Sequence, residues 1–191
     1  LGGKQLQNTR KDLAHYQDST EGYWDLVACL VRNIDKLASG EAHILFWFSM
    51  NHYTETLNAL SSIGAVNPFP LIWMKSDNLG LLPDAQRGPR RIYESAFLVS
   101  RGDRKVVKAV SNAYGAPSER NDEAHLSEKP LSVLLKFLPM LVDGTTKLLD
   151  PTAGSGTALI AAKKLGASFV RGWEINQDFV DMANKKFWRE S

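Results

Sequence analysis

The chain is poor in the residues that staple small secreted folds. Its 191 residues include a single cysteine, Cys29, which excludes an internal disulfide framework and any cysteine-rich zinc site and fits a reducing compartment. Cys29 lies in the apolar helical run LVACLV, which predicts a core position for it. No apolar run approaches the roughly 18 residues of a membrane span. The N-terminal stretch LGGKQLQNTRKDLAHYQ carries no apolar signal-peptide core. No two of its eight prolines are adjacent. Charge of one sign is also scarce, with 23 Lys and Arg against 21 Asp and Glu, a formal net charge of +2. With 43% hydrophobic and 23% charged residues the composition is that of a globular chain, which excludes wholesale disorder and fibrous classes. The length allows one domain or two small ones. The first residue is Leu1 rather than Met, so the chain reads as an excerpt of a longer protein.

Near-neutrality conceals an uneven distribution. Between Arg87 and Lys108 stand Arg87, Arg90, Arg91, Arg101, Arg104, Lys105 and Lys108, against only Glu94 and Asp103. Such a stripe is either the footprint of a polyanion or a solvated rim around a hairpin.

Along the chain, Tyr23, Trp24, Leu26, Val27, Leu30, Val31, Ile34 and Leu37 recur at helical spacing and predict a helix over about 20–38. The run AHILFWFS (42–49) is a strand buried on both faces, and Asn51 opens a helix stopped at Gly64. PFPLIWMK (68–75) predicts a strand, followed by the polar loop 76–91. IYESAFLVSR (92–101) and KVVKAV (105–110) predict a hairpin turning at Gly102-Asp103. Residues 111–129 are polar loop, and LSVLLKFLPMLV (131–142) is a helix with Pro130 at its entry. TKLLD (146–150) is a strand, 157–165 a helix, FVRGWE (169–174) a strand and 177–189 a helix. The expected fold class is α/β: one mixed, mainly parallel sheet flanked by helices, with the hairpin at one edge.

The chemistry concentrates in LLDPTAGSGT, Leu148 to Thr157. A strand ends in Asp150, and a loop with Gly154 and Gly156 leads into a helix. Ligands of open α/β sheets bind beyond the carboxyl ends of strands, where loop glycines let a backbone approach closely. The spacing is neither the dinucleotide fingerprint G-x-G-x-x-G nor a phosphate loop, because the third glycine and the G-K-[ST] are missing. The next strand ends at Glu174, whose carboxylate can accept both hydroxyls of a ribose diol. The structural alternative is a tight βα turn with Glu174 as a helix cap.

The segment LLDPTAGSGTALIAAKKLGASFVRGWEIN closely resembles the cofactor motifs of amino-type DNA methyltransferases, which form N6-methyladenine or N4-methylcytosine. HLSEKP (125–130) resembles the family's H-x-[TS]-x-K-P segment. Its position ahead of the glycine loop implies the circularly permuted order, catalytic half first. IWMK (72–75) and YESAFLVSRG (93–102) resemble the later catalytic-half motifs, so the resemblance is specific over 125–176 and diffuse before it.

The resemblance implies a methyltransferase fold of the Rossmann-like kind and S-adenosylmethionine as cofactor. It implies that Asp150, Thr152, Gly154, Ser155 and Gly156 line the cofactor's methionine and ribose. Glu174 would take the ribose hydroxyls, with Trp173 or Ile175 beside the adenine, and Ser127 and Lys129 would face the amino-acid end. His125 reads equally as a loop-carbonyl donor, Lys129 as a solvated charge and Asn176 as a helix cap. Double-stranded DNA is the implied partner, with Arg87, Arg90 and Arg91 as phosphate contacts. A homodimer is compatible with the family, no metal or cysteine nucleophile is required, and the implied compartment is the cytoplasm of a bacterium or its phage. The layout expected is one methyltransferase domain, with 1–110 the catalytic half and hairpin and 111–191 the cofactor half.

One departure stands out. The family's catalytic motif, [DNS]-P-P-[YFW], supplies acceptors for the target amine and a ring that stacks on the flipped base. It is absent from the sequence; Asn67-Pro68-Phe69-Pro70 looks similar but precedes the wrong strand. The expectation is that the motif lies upstream of Leu1 and that the fragment alone is inactive. The rivals are methylation of an RNA or protein amine, and a non-catalytic cofactor- or DNA-binding module of a multidomain phage or partition-type protein.

Overall fold

A computed structural model describes residues 20–81, 84, 86–118 and 128–190. The chain order is α1 (Thr20–Leu37), β1 (Ala42–Phe48), a 3-10 turn, α2 (Tyr53–Ser61), β2 (Ala65–Val66), β3 (Leu71–Lys75), β4 (Tyr93–Arg101) and β5 (Ala113–Ala116). Then follow α3 (Leu131–Phe137), a second 3-10 turn, β6 (Lys147–Asp150), α4 (Thr157–Lys164), β7 (Phe169–Gly172) and α5 (Gln177–Glu190).

The α/β class with flanking helices is as expected, but the strands divide differently. The first sheet runs β1-β4-β3-β5, with β2 also on β4, and the second is the parallel pair β6-β7. β4 is antiparallel to β1, β2 and β3, while β3 and β5 are parallel. The first sheet is therefore mixed, with more antiparallel than parallel pairings, rather than mainly parallel. The predicted edge hairpin does not form either. Gly102 turns the chain at φ +62°, but both edges of β4 are already taken, so 105–110 cannot return along it. Instead the Val107 amide donates to the Met140 carbonyl at 2.8 Å. β5, expected as loop from its polar surroundings, gains its hydrogen bonds from the distant β3.

Two further boundaries move for reasons of proline chemistry. β3 starts at Leu71 because Pro68 and Pro70 have no N–H to give a ladder. α3 tightens to a 3-10 turn at Leu138 because Pro139 cannot donate to the carbonyl four residues back.

β1 and β4 are covered on both faces. On one, Phe48, Phe97 and Val99 pack with Ile34 of α1 and Leu60 of α2, the Phe48 and Phe97 rings stacked at 4.0 Å. On the other, Leu71, Trp73 and Ala96 meet Val133, Leu134 and Phe137 of α3 and Ala161 and Ala162 of α4. α3 thus joins the first sheet to the layer that carries β6 and β7. Truncating a fully buried ring such as Phe137 to alanine costs about 3–5 kcal/mol in cores of this kind. Cys29 departs from expectation: α1 turns Val27 and Ile34 inward and leaves Cys29 exposed.

Candidate cofactor and nucleic-acid site

Asp150 and Gly172 end two paired parallel strands side by side. The loop after Asp150 then folds back across the end of β7. The Trp173 amide donates to the Asp150 carbonyl at 2.9 Å, and the Ala153 amide donates to the Trp173 carbonyl at 2.8 Å. Each carboxylate at these strand ends is held by backbone. The Thr152 amide donates to Asp150 Oδ1 at 3.0 Å. Glu174 Oε2 accepts the Gly154 amide and Oε1 the Asn176 amide, both at 2.9 Å. Burial pushes the Asp150 carboxyl up, and the Glu174 charge adds to that.

Gly154 and Gly156 occupy the left-handed region, at φ +52° and +77°, which an L side chain enters only with strain. A Cβ on Gly154 would meet open space, whereas one on Gly156 would meet Ala183 of α5 at 3.1 Å. The first glycine leaves room above the loop; the second lets α5 close beneath it. Asn176 caps α5 by accepting the Asp178 amide at 2.9 Å, which is the cap reading.

The other expected cofactor residues fall as follows. Thr152 lies exposed at the turn. Ser155 is buried and its hydroxyl pairs with Thr157 at 3.1 Å, so only its backbone faces the loop. Ile175 is 97% exposed and Trp173 about half exposed, on either side of Glu174. Ser127 and His125 lie outside the described residues. The ammonium of Lys129 pairs with Glu94 Oε2 at 2.9 Å and sits 5.3 Å from the Trp47 ring.

Its neighbour Glu128, which no sequence pattern singles out, reaches the loop. It accepts from Thr157 Oγ1, at the first position of α4, and from Lys186 Nζ of α5 at 2.6 Å. Lys75 also pairs with Glu94, at 2.8 Å. Burial opposes ionisation of Glu94, but the charges of Lys129 and Lys75 win and hold its carboxyl below the usual range. Burial likewise opposes ionisation of Glu128, and Lys186, Thr157 and Ser155 outweigh it. Glu-Lys in HLSEKP carries no mark of these pairings, because their partners are 29 to 58 positions away.

The basic stripe separates into two ends. Arg91 donates to Asn51 Oδ1 at 2.9 Å, just past the end of β1. Arg90 bonds the Gly80 carbonyl at 3.3 Å, and exposed Arg87 pairs with Asp84 at 3.2 Å. The 76–91 loop is pinned by the Leu81–Arg91 bridge. At the other end of β4, about 30 Å away for a nine-residue strand, Arg101 pairs with Asp35 and Arg104 reaches Thr146, which precedes β6. Asp150 is at the far end of β6 from Thr146, so the 101–108 turn and the glycine loop lie at opposite ends of the strands.

These features define a methyltransferase-type α/β protein with a glycine loop between two acidic strand ends. The profile of the N6/N4-type DNA methylase family matches residues 7–185, and the chain belongs to that family. The type II methyltransferase M.HindIII of Haemophilus influenzae is 37% identical over 59 residues, 31% of this chain and 19% of that protein. The matched part thus spans about a fifth of that relative. Among solved structures, the M1.HpyAVI–SAM complex superposes with a TM-score of 0.72 at 21% identity, over 88% of this chain and 84% of the other. The PvuII DNA methyltransferase (cytosine-N4-specific) superposes at 0.67 and 15% identity, over 87% and 71%.

Proposed function

We propose that the chain belongs to a methyltransferase that binds S-adenosylmethionine and methylates an exocyclic amine, adenine N6 or cytosine N4, in double-stranded DNA. One observation carries the reading: Glu174 and Asp150 stand at adjacent strand ends and bracket a loop whose glycine at 154 has open space above it. That donor set fits the cofactor. Glu174 keeps lone pairs for a ribose diol beyond its two backbone bonds, Trp173 and Ile175 offer apolar flanks for the adenine, and Asp150, Thr152, Gly154, Ser155 and Gly156 frame the remainder. Ser127 and Lys129 are assigned to the amino-acid end on the family resemblance.

The bound cofactor would supply an electrophilic methyl group. This chain's part is to hold the acceptor end of the site in line, since such catalysis is mostly orientation and electrostatics. The family's acceptor motif, D/N/S-P-P-aromatic, does not occur in these 191 residues, and the permuted motif order is part of this proposal.

The chain is read as one methyltransferase domain. Residues 1–110 are assigned to the catalytic half and 111–191 to the cofactor half, although β5 of the latter pairs with β3 of the former. Arg87, Arg90 and Arg91 are assigned to DNA phosphates. No helix among the described residues is long and apolar enough to cross a membrane, and a bacterial or phage cytoplasm is the compartment we assign. A homodimer is the proposed working unit, to be read by sedimentation.

Calorimetry on this chain should detect S-adenosylhomocysteine, and Glu174→Ala should weaken it at least tenfold; unchanged binding overturns the ribose assignment. Tritium transfer from labelled cofactor by the full-length parent should label DNA. Label on RNA or protein would replace the substrate class, and no label on any of them would favour the binding-module reading, which rests on the missing Pro-Pro.

A further inference from the structure

We propose that Glu94, on β4, which is hydrogen-bonded on both edges, is a positioning residue for the glycine loop, acting through the dipeptide Glu128-Lys129. The inference deepens the cofactor reading above and rests on it for what the loop binds.

Adjacent residues of opposite charge here face different halves of the protein. Lys129 is tied to Glu94 of β4 at 2.9 Å, and Glu128 is tied to Thr157 of α4 and to Lys186 of α5. The dipeptide is therefore anchored on both sides. Pro130 follows it and is fully buried, so the strap has little freedom to shift without moving its anchors. Thr157 is the residue after Gly156, and its hydroxyl also pairs with buried Ser155. A displacement of Glu128 is thus transmitted directly to the loop that carries Gly154 and Gly156.

Glu94 is suited to fix the other side. Its side chain is mostly withdrawn from water, as are those of Lys75 and Lys129 that grip its two oxygens. In such surroundings a charged pair is held more firmly than at an open surface, and removing one member leaves the other uncompensated. With the carboxylate neutralised, Lys129 keeps only its place beside Trp47 and its remaining contacts. The strap then loses its ion pair on the Glu94 side, and the end of the catalytic half sets the position of the glycine loop less firmly.

The test uses this chain and two readouts. In Glu94→Gln, the backbone amide resonances of Gly154, Ser155 and Thr157 should shift without ligand, and S-adenosylhomocysteine affinity should fall about fivefold or more, the lower end of ordinary coupling between sites. Lys129→Met should produce the same loop shifts, and the double variant should add little to either single one. Lys75→Met, which removes the other cation but leaves the Lys129 pair, should leave the loop resonances in place. Loop resonances that stay put in folded Glu94→Gln and Lys129→Met overturn the proposal. So does a Lys75→Met variant that moves them equally, because that signals general loss of packing. If the resonances move as expected but the wild-type chain binds no S-adenosylhomocysteine, the coupling stands and the cofactor reading falls.

Discussion

Glu174 Oε2 accepts the backbone amide of Gly154 at 2.9 Å across the loop that joins β6 to α4. The loop's shape is therefore fixed by the same carboxylate that is assigned to the ribose. Glu174→Gln should weaken both roles less than alanine does. Its single amide oxygen can still accept the Gly154 N–H, but its NH2 then faces the Asn176 N–H that Oε1 accepts in the wild type, and a neutral acceptor holds a diol less strongly. The expected outcome is a melting temperature between those of wild type and Glu174→Ala, with a clear loss of S-adenosylhomocysteine affinity in calorimetry. Glu174→Ala should lose both, at about 1.5–3 kcal/mol of stability for hydrogen bonds to a charged group.

The two glycines of the loop should differ in cost. Gly154→Ala meets open space, so it suffers only the left-handed strain, about 1–2 kcal/mol. Gly156→Ala adds a 3.1 Å approach to Ala183, and α5 must move away. Urea denaturation should rank Gly156→Ala well below Gly154→Ala, with wild type above both. Equal losses would mean that α5 yields freely.

Acid stability should carry opposite signs for the three carboxyls near the loop. Glu94 and Glu128 have folded-state values held below their ordinary 4.5. Their contribution is fully present above that value and is lost as pH falls through the folded values. Glu94→Gln and Glu128→Gln should therefore flatten the acid limb of a melting-temperature profile and lower the plateau at neutral pH. Asp150 is raised above its ordinary 3.8, so its ionisation opposes folding as pH rises past that point. Asp150→Asn should raise the melting temperature at pH 7 while it weakens cofactor binding, a trade of activity for stability.

What is legible in the sequence is what is local in the chain. The glycine loop, α4 and the acidic end after β7 lie within 27 residues, Asp150 to Asn176, and the bonds that shape the loop close within that span. Gly-Asp marks the Gly102 turn but not its sequel, because whether a strand returns depends on which edges are open. β1 covers Ser95 to Arg101 on one side of β4, and β3 and β2 occupy the other. β5 escapes the sequence pattern for the converse reason: Ala113 to Ala116 gain their pairing from Ile72 to Lys75, about 40 residues back. Cys29 misleads because LVACLV is apolar on more of the helix than α1 buries. Glu94 shows as part of a strand and of the family-like YESAFLVSRG, and Glu128 not at all; an ion pair across the fold leaves no periodicity to detect.

Separation of the basic stripe yields the last expectation. Arg87 and Arg90 are exposed at the end of the strands where β1 and β6 finish, and Arg87's pair with Asp84 is open to water, where such pairs are weak and easily exchanged. Arg104, Lys105 and Lys108 lie at the opposite end, where the strands begin. Removing a cation that neutralises one phosphate should lower the salt slope of duplex binding by about 0.9. The Arg87→Ala/Arg90→Ala variant of the full-length parent should thus lose about two units of slope and bind more weakly to any sequence. Arg104→Ala/Lys105→Ala/Lys108→Ala removes more charge yet should leave the slope unchanged, in a fluorescence-anisotropy titration over several salt concentrations. If the second variant loses as much as the first, then net charge rather than placement governs DNA binding, and the assignment of Arg87, Arg90 and Arg91 fails.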